Sequence, residues 1–181
     1  MLARRIACTL VAWAATVSAQ PERSALPSEV VQALPGAALQ GQMRFRLWGF
    51  DVYDARLWTL PGFSSQGFER QHLALELRYL RGVDADLIAE RSLQELRRQA
   101  TPTPEQAQRW LAEMRRVFPD VQPGDRLLGV HRPGEGAAFF HNGQPRGEIR
   151  DPEFARLFFG IWLSPRSSEP AMRQALLGSA P

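Results

Sequence analysis

Apolar and polar positions alternate most densely between Met43 and Trp58, MRFRLWGFDVYDARLW, with one interruption at Trp48-Gly49. Two strands meeting at that dipeptide explain the break, because glycine supplies the positive φ that a two-residue hairpin turn needs. Simple alternation then places Leu47 opposite Phe50 and Phe45 opposite Val52 on one apolar face. Arg46 opposite Asp51 and Arg44 opposite Tyr53 share the other. The competing reading is one long strand bulged at Gly49.

The rest of the chain divides by the same criteria. Pro27–Leu34 is a short helix with Ser28 as its cap and Val30, Val31 and Leu34 on one side. Leu73, Leu75, Leu77 and Tyr79 alternate with Glu76 and Arg78, the pattern of a half-buried strand. Asp84 caps a helix reaching Gln99, with Ile88, Ala89, Leu93 and Leu96 as its buried stripe. Thr103-Pro104-Glu105-Gln106 is a capping box opening a second helix that Pro119 ends. Short strands follow at Arg126–His131, Ala137–Phe140 and Gly147–Ile149, the last two joined by Asn142-Gly143. Asp151-Pro152 starts a helix that is apolar nearly all round, from Phe154 through Phe158, Phe159 and Trp162, and so must be buried on several sides. A final short helix, Glu169–Leu177, closes at Gly178. Strands joined by tight turns and helices in blocks define an α+β domain, an antiparallel β-sheet packed with helices.

The N-terminus departs from this pattern. Arg4 and Arg5 precede a 12-residue apolar run, Ile6–Val17, and Val17-Ser18-Ala19 is a small-residue cleavage site. Residues 1–19 are a signal peptide on these criteria, and 20–181 a single domain with a periplasmic or secreted location. The run falls short of the ~20 residues a membrane span requires, and no later stretch of the mature chain is long and apolar enough. The only cysteine, Cys8, leaves with the signal, so neither a disulfide nor a cysteine metal site remains.

Charge changes little. All 22 basic residues are arginine, and removal of Arg4 and Arg5 leaves 20 against 19 acidic residues. The mature chain is near neutral, without the basic patch of a nucleic-acid binder. It contains no phosphate-binding glycine loop, no nucleophile elbow and no HExxH, and nothing calls for a cofactor or metal. His131 and His141 could face each other across a hairpin, but surface or turn positions are the simpler expectation for them and for His72. Asp51 and Asp54 form a candidate carboxylate pair, with Arg46 and Arg56 as structural partners. Arg44, Arg46 and Tyr53 are the stronger candidates. Forked guanidinium donors beside a phenol suit the polar head of an otherwise apolar ligand.

An ordered set of residues resembles a known family. Gly41, Arg44, Gly49-Phe50, Val52-Tyr53-Asp54-Ala55, Leu57-Trp58, Leu75-Glu76-Leu77, Tyr79, Gly124-Asp125, Asn142-Gly143, Phe154-Ala155, Ile161-Trp162-Leu163 and Leu176-Leu177-Gly178 together are similar to the chalcone isomerase-like family, in its secreted bacterial branch. The resemblance covers residues 27–178. It implies an open-faced β-sandwich whose cleft holds a flavonoid in the plant enzymes and a fatty acid in their binding relatives. In the enzymes an Arg holds the phenolate, a strand Thr and a helix Tyr help polarise the ketone, and an Asn and a Ser/Thr shape specificity. The Arg falls on Arg44, with Arg46 as the other register, and the Thr on Tyr53. The helix Tyr falls near Leu87, the Asn near Gln94 or Glu95, and the Ser/Thr near Arg146. With the Arg kept and the carbonyl polariser lost, transition-state stabilisation is missing. The resemblance therefore implies a non-catalytic protein binding a small amphiphile such as a fatty acid at Arg44, Arg46 and Tyr53. The alternatives are an isomerase (intramolecular lyase) acting on an unsaturated ketone or acid through Arg44, and a periplasmic interaction protein whose cleft Phe158, Phe159 and Trp162 fill.

Overall fold

The computed structural model describes residues 26–178; the expected signal sequence, 1–19, lies outside them. Trp48 and Gly49 both have positive φ, 49° and 83°, so the dipeptide is a two-residue hairpin turn and the single-strand alternative falls away. Its arms are β1 (Ala38–Leu47) and β2 (Phe50–Thr59). Leu47 lies opposite Phe50 and Arg46 opposite Asp51, as alternation requires. One step further the register slips: Phe45 pairs with Tyr53, not Val52, and Arg44 with Asp54, not Tyr53. Val52 is the extra residue of a β-bulge, and it shifts the partners of Phe45 back to Gly41 by one, until a second irregularity at Gln40 restores the original register.

β3 (Leu73–Tyr79), β4 (Arg126–Arg132), β5 (Gly136–His141) and β6 (Gln144–Ile149) complete a six-stranded antiparallel sheet in sequence order. Both edge strands begin earlier than their apolar residues indicate. Backbone pairing holds Ala38–Gln42 and Gln144–Arg146 in the ladder, and pairing leaves no hydrophobic signature. Thr103 and Gln106 make both halves of the capping box at the start of α3 (Pro104–Val117). Asp151 caps α4 (Pro152–Leu163) by accepting from the Phe154 N–H at 3.0 Å. Two expected caps are filled otherwise. Asp84 makes no side-chain cap for α2 (Ala85–Gln99). Asp120 does it from beyond α3, accepting from the Ala85 N–H at 2.8 Å, because a Val83–Val121 bridge brings the two loops together. Ser28 is the first residue inside α1 (Ser28–Ala33), and its hydroxyl donates to Glu29.

Helices α2, α3, α4 and α5 (Pro170–Leu177) bury the inner face of the sheet, where Ala55, Leu57, Leu75, Leu77, Leu127 and Phe139 point. The outer face is only partly open. Val30 and Leu34 of α1 pack over Trp58, Ala74, Leu128, Val130 and Ala138. β3 is therefore covered on both faces and not half-buried, and Glu76 is 2% exposed. Its carboxylate accepts from the Trp58 indole at 3.2 Å and meets Arg56 at 3.5 Å, the pairing a buried charge requires.

Helix α5 closes the β1 edge. The Gln40 amide donates to the Leu177 carbonyl at 2.9 Å, and a Cβ built on Gly41 would collide with the Ala175 and Leu176 carbonyls. Backbone meets backbone there, so neither side can yield cheaply. Gly41→Ala is expected to destabilise the protein by about 1–3 kcal/mol, read as a lower midpoint in urea unfolding, with α5 detaching first in amide hydrogen exchange.

Candidate functional site

The bulge at Val52 sends the sequence-derived candidates to opposite faces. Tyr53 lies on the inner face, stacked on Phe45 with centroids 5.0 Å apart and edge-on to its β3 partner Tyr79 at 5.9 Å. Its hydroxyl accepts from the Trp162 indole N–H at 3.1 Å. The hydroxyl proton has only the Met172 thioether, 4.0 Å away, which is a weak acceptor. Tyr79 is 4% exposed, and its hydroxyl is not sealed in without a partner, since among the described residues no fully buried side-chain polar atom lacks one. Burial pushes both phenol pKa values up. The negative charge of Glu169 and Glu95 adds to the effect at Tyr53, against the lowering by the Trp162 bond, and Tyr53 adds to it at Tyr79. Both groups thus stay protonated through the physiological range and remain donors.

Arg44 and Arg46 come together on the outer face. Arg44 makes a forked pair with Asp54, at 2.7 and 3.0 Å, and reaches Asp51 at 3.1 Å; Arg46 bonds Asp51 at 2.6 Å. The hydrogen bond from Arg46 holds the Asp51 carboxyl below its usual range, with help from Arg44, and the bonds that Arg44 donates to Asp54 raise the Arg44 pKa. Asp51 and Asp54 do sit together, but as counter-ions of arginine, and Asp51 is a poor proton donor at neutral pH. The expected shared surface of Arg44 and Tyr53 is replaced by an ionic outer face and a phenolic inner face.

His131 and His141 do not face each other: His131 lies opposite Ala137, and His141 opposite Leu127. Nor is His131 a surface group. It is 2% exposed, its Nδ1 is 2.9 Å from the Gln71 carbonyl, and its ring stands edge-on to Phe159 at 5.1 Å. Beside it the interior is filled. Phe118, Phe139, Phe154, Phe158, Phe159 and Trp162 form a continuous aromatic cluster with centroids 5.2–5.9 Å apart. A groove of about 670 Å³ opens elsewhere, between α3 and the end of β6. Its charged walls are already engaged, Arg109 with Asp151 at 3.2 Å and Arg150 with Glu148 at 3.2 Å.

Sequence reasoning found Tyr53 and missed its companions Tyr79, Trp162 and Met172. Alternation had already put Tyr79 on the inner face. Trp162 and Met172 come from helices more than 100 residues away, beyond the reach of any local pattern.

A six-stranded antiparallel meander with four helices on one face and one on the other is the α+β open-faced sandwich expected from the sequence. A model of the chalcone isomerase-like family matches residues 36–178, and the chain belongs to that family. It is 32% identical over 132 residues to an uncharacterised protein of Haemophilus influenzae. That alignment covers 72% of this chain and 63% of its relative, so the chain spans less than two thirds of the relative's length. Among solved structures it resembles a fatty-acid binding protein of Arabidopsis thaliana, with a TM-score of 0.62 and 11% identity over 80% of this chain and 88% of the other. A likeness at that identity is one of fold.

Burial lowers the His131 pKa from its ordinary 6.5. The unfolded chain takes up this proton near pH 6.5 while the folded chain keeps the imidazole neutral, so stability is lost as pH falls through that value. The depressed carboxylates Asp51, Asp125, Glu148 and Asp151 act at lower pH. Denaturation at pH 7.5 and 5.5 is expected to show a loss of up to about 1.4 kcal/mol per pH unit below 6.5. His131→Gln should flatten that slope, and an unchanged slope assigns it to other groups.

Proposed function

We propose that this chain is a non-catalytic binding protein of the chalcone isomerase-like family, exported to the periplasm, that holds a small amphiphile such as a fatty acid. The ligand lies between the outer half of the β1–β2 hairpin and the helices. The observation that carries this reading is the adjacent pair of protonated phenols, Tyr79 buried and Tyr53 partly buried, with only a thioether as acceptor for the Tyr53 proton. Two such donors in an apolar setting are suited to one head-group oxygen. The alkyl part runs along Met43 and Phe45, which pack only partly buried against the core. Met172 lies against the Tyr53 hydroxyl, and its flexible unbranched side chain is the one that gives way. Glu95 and Glu169 disfavour an anion there, so an acid enters in its protonated form. Arg44 lies on the far face and serves the hairpin. The negative charge of Glu95 and Glu169 at the phenol works against an oxyanion there, and this favours binding over catalysis. Export rests on Arg4-Arg5, the apolar run to Val17 and the Val17-Ser18-Ala19 site.

The packed aromatic cluster around Phe158 favours a second reading, an interaction protein whose interior is complete without a ligand.

Native mass spectrometry of protein purified from cells, followed by oleate titration, separates the two. The binding reading expects a co-purified amphiphile and an oleate affinity that rises as pH falls. Tyr53→Phe with Tyr79→Phe should weaken affinity about tenfold or more, the loss of at least one buried hydrogen bond, whereas Arg44→Ala should retain it. An empty protein that ignores oleate at every pH leaves the filled-interior reading.

A further inference from the structure

The two tight hairpins of the sheet have the same turn and opposite chemistry. At the β5–β6 turn Asn142 and Gly143 have φ of 49° and 84°; at the β1–β2 turn Trp48 and Gly49 have 49° and 83°. Asparagine is among the few side chains that tolerate this left-handed position, and tryptophan is not one of them. Trp48 gains nothing from packing in return, since it is 85% exposed. Phe50, next along the turn, is 61% exposed. A strained backbone presenting an uncovered aromatic side chain is a feature whose compensation lies outside the molecule.

The surroundings indicate what supplies it. β3 begins to pair with β2 only at Tyr53, and the Leu80 N–H reaches the Val52 carbonyl. Residues 46–51 therefore project past the sheet as a two-stranded prong. Two arginines flank the aromatic tip: the Arg81 guanidinium lies 5.2 Å from the Phe50 centroid, and the Arg46 side chain, paired with Asp51, is 66% exposed. A narrow convex prong offers little of the ~800 Å² per partner that a stable protein interface buries. Indole and phenyl rings with adjacent arginines match the boundary between lipid tails and anionic head groups, where tryptophan concentrates and arginine meets phosphate. No helix among the described residues is long and apolar enough to cross a membrane.

We infer that the Trp48–Phe50 hairpin tip is a membrane-docking prong that inserts its two rings into the interface of an anionic phospholipid bilayer. Docking at the tip requires no ligand in the interior. The tip's inner side, through Leu47, continues onto Phe45 and Tyr53, so an amphiphile leaving the bilayer would meet the phenol site next.

The test is co-sedimentation of the purified protein with vesicles of phosphatidylcholine alone or mixed with phosphatidylglycerol, with tryptophan quenching by brominated lipid. The wild-type protein is expected to partition onto the mixed vesicles, less so in high salt, and to be quenched. Trp48→Asn places the other hairpin's residue in the same turn. It should reduce partitioning about tenfold or more through the lost apolar burial, while its melting temperature equals or exceeds that of the wild type. Phe50→Ser should weaken binding, and Arg46→Gln with Arg81→Gln should remove its salt dependence. The inference is overturned if the wild-type protein stays in solution with both vesicle types or if Trp48→Asn binds undiminished. It is also overturned if the wild-type protein is a dimer that Trp48→Asn makes monomeric, which would make a second copy the occupant. Oleate binding by Trp48→Asn, measured in parallel, reports on the interior site separately.

Discussion

Burial of α4 on all but the narrow strip of Pro152, Glu153 and Arg156 is the constraint around which the other elements are arranged. Phe154, Leu157, Phe158, Phe159, Trp162 and Leu163 are all at most 6% exposed, and removing each large apolar side chain from water contributes about 2 kcal/mol. No single partner can cover such a helix. It takes the sheet beneath, through Phe139 and His131, with α2 and α5 alongside. The crossing with α2 is close enough that Gln99 lies over Gly160 and donates to the Leu157 carbonyl at 2.8 Å. The same packing fills the middle of the sandwich with aromatic rings, whereas towards the hairpin end Met43, Phe45 and Tyr53 are only partly covered.

One extra residue governs what that end presents. Side chains alternate across a strand with a period of two, so a single-residue slip exchanges the faces. Without the bulge at Val52, Arg44 would sit across from Tyr53 and bring a permanent cation beside the phenol. With it, both arginines fall to the outer face with Asp51 and Asp54, and Tyr53 turns inward to Tyr79 and Trp162. The inner site keeps hydrogen-bond donors and loses its cation. That is the physical basis for reading it as a binding site and not as a site that stabilises an oxyanion.

The outer face shows how buried charge is managed when a sheet is covered on both sides. Glu76 lies beneath α1, and Glu29 of α1 is itself 4% exposed. Each is matched: Glu76 by Arg56 and the Trp58 indole, Glu29 by Arg126 at 2.8 Å. Removing one member of such a pair leaves an uncompensated charge, which costs more than the intact pair contributes. The Glu29–Arg126 pair ties to the sheet a helix only six residues long, too short to persist by its own propensity.

The sequence by itself determined the order of elements, the two tight turns, the capping box at Thr103, the cap at Asp151 and the buried nature of α4. Each depends on residues within a turn or two of one another. The family was legible too, from spaced fragments no one of which is decisive. Only the tertiary structure decided the bulge at Val52, the burial of β3 beneath α1, the capping of α2 by Asp120 and the meeting of Tyr53 with Tyr79, Trp162 and Met172. A register is settled by the sum of pairings along two strands, and a cap borrowed from 35 residues away by the docking of two loops. Neither leaves a local trace. The face a side chain occupies, and so whether an arginine and a tyrosine share a site, is a property of the assembled sheet.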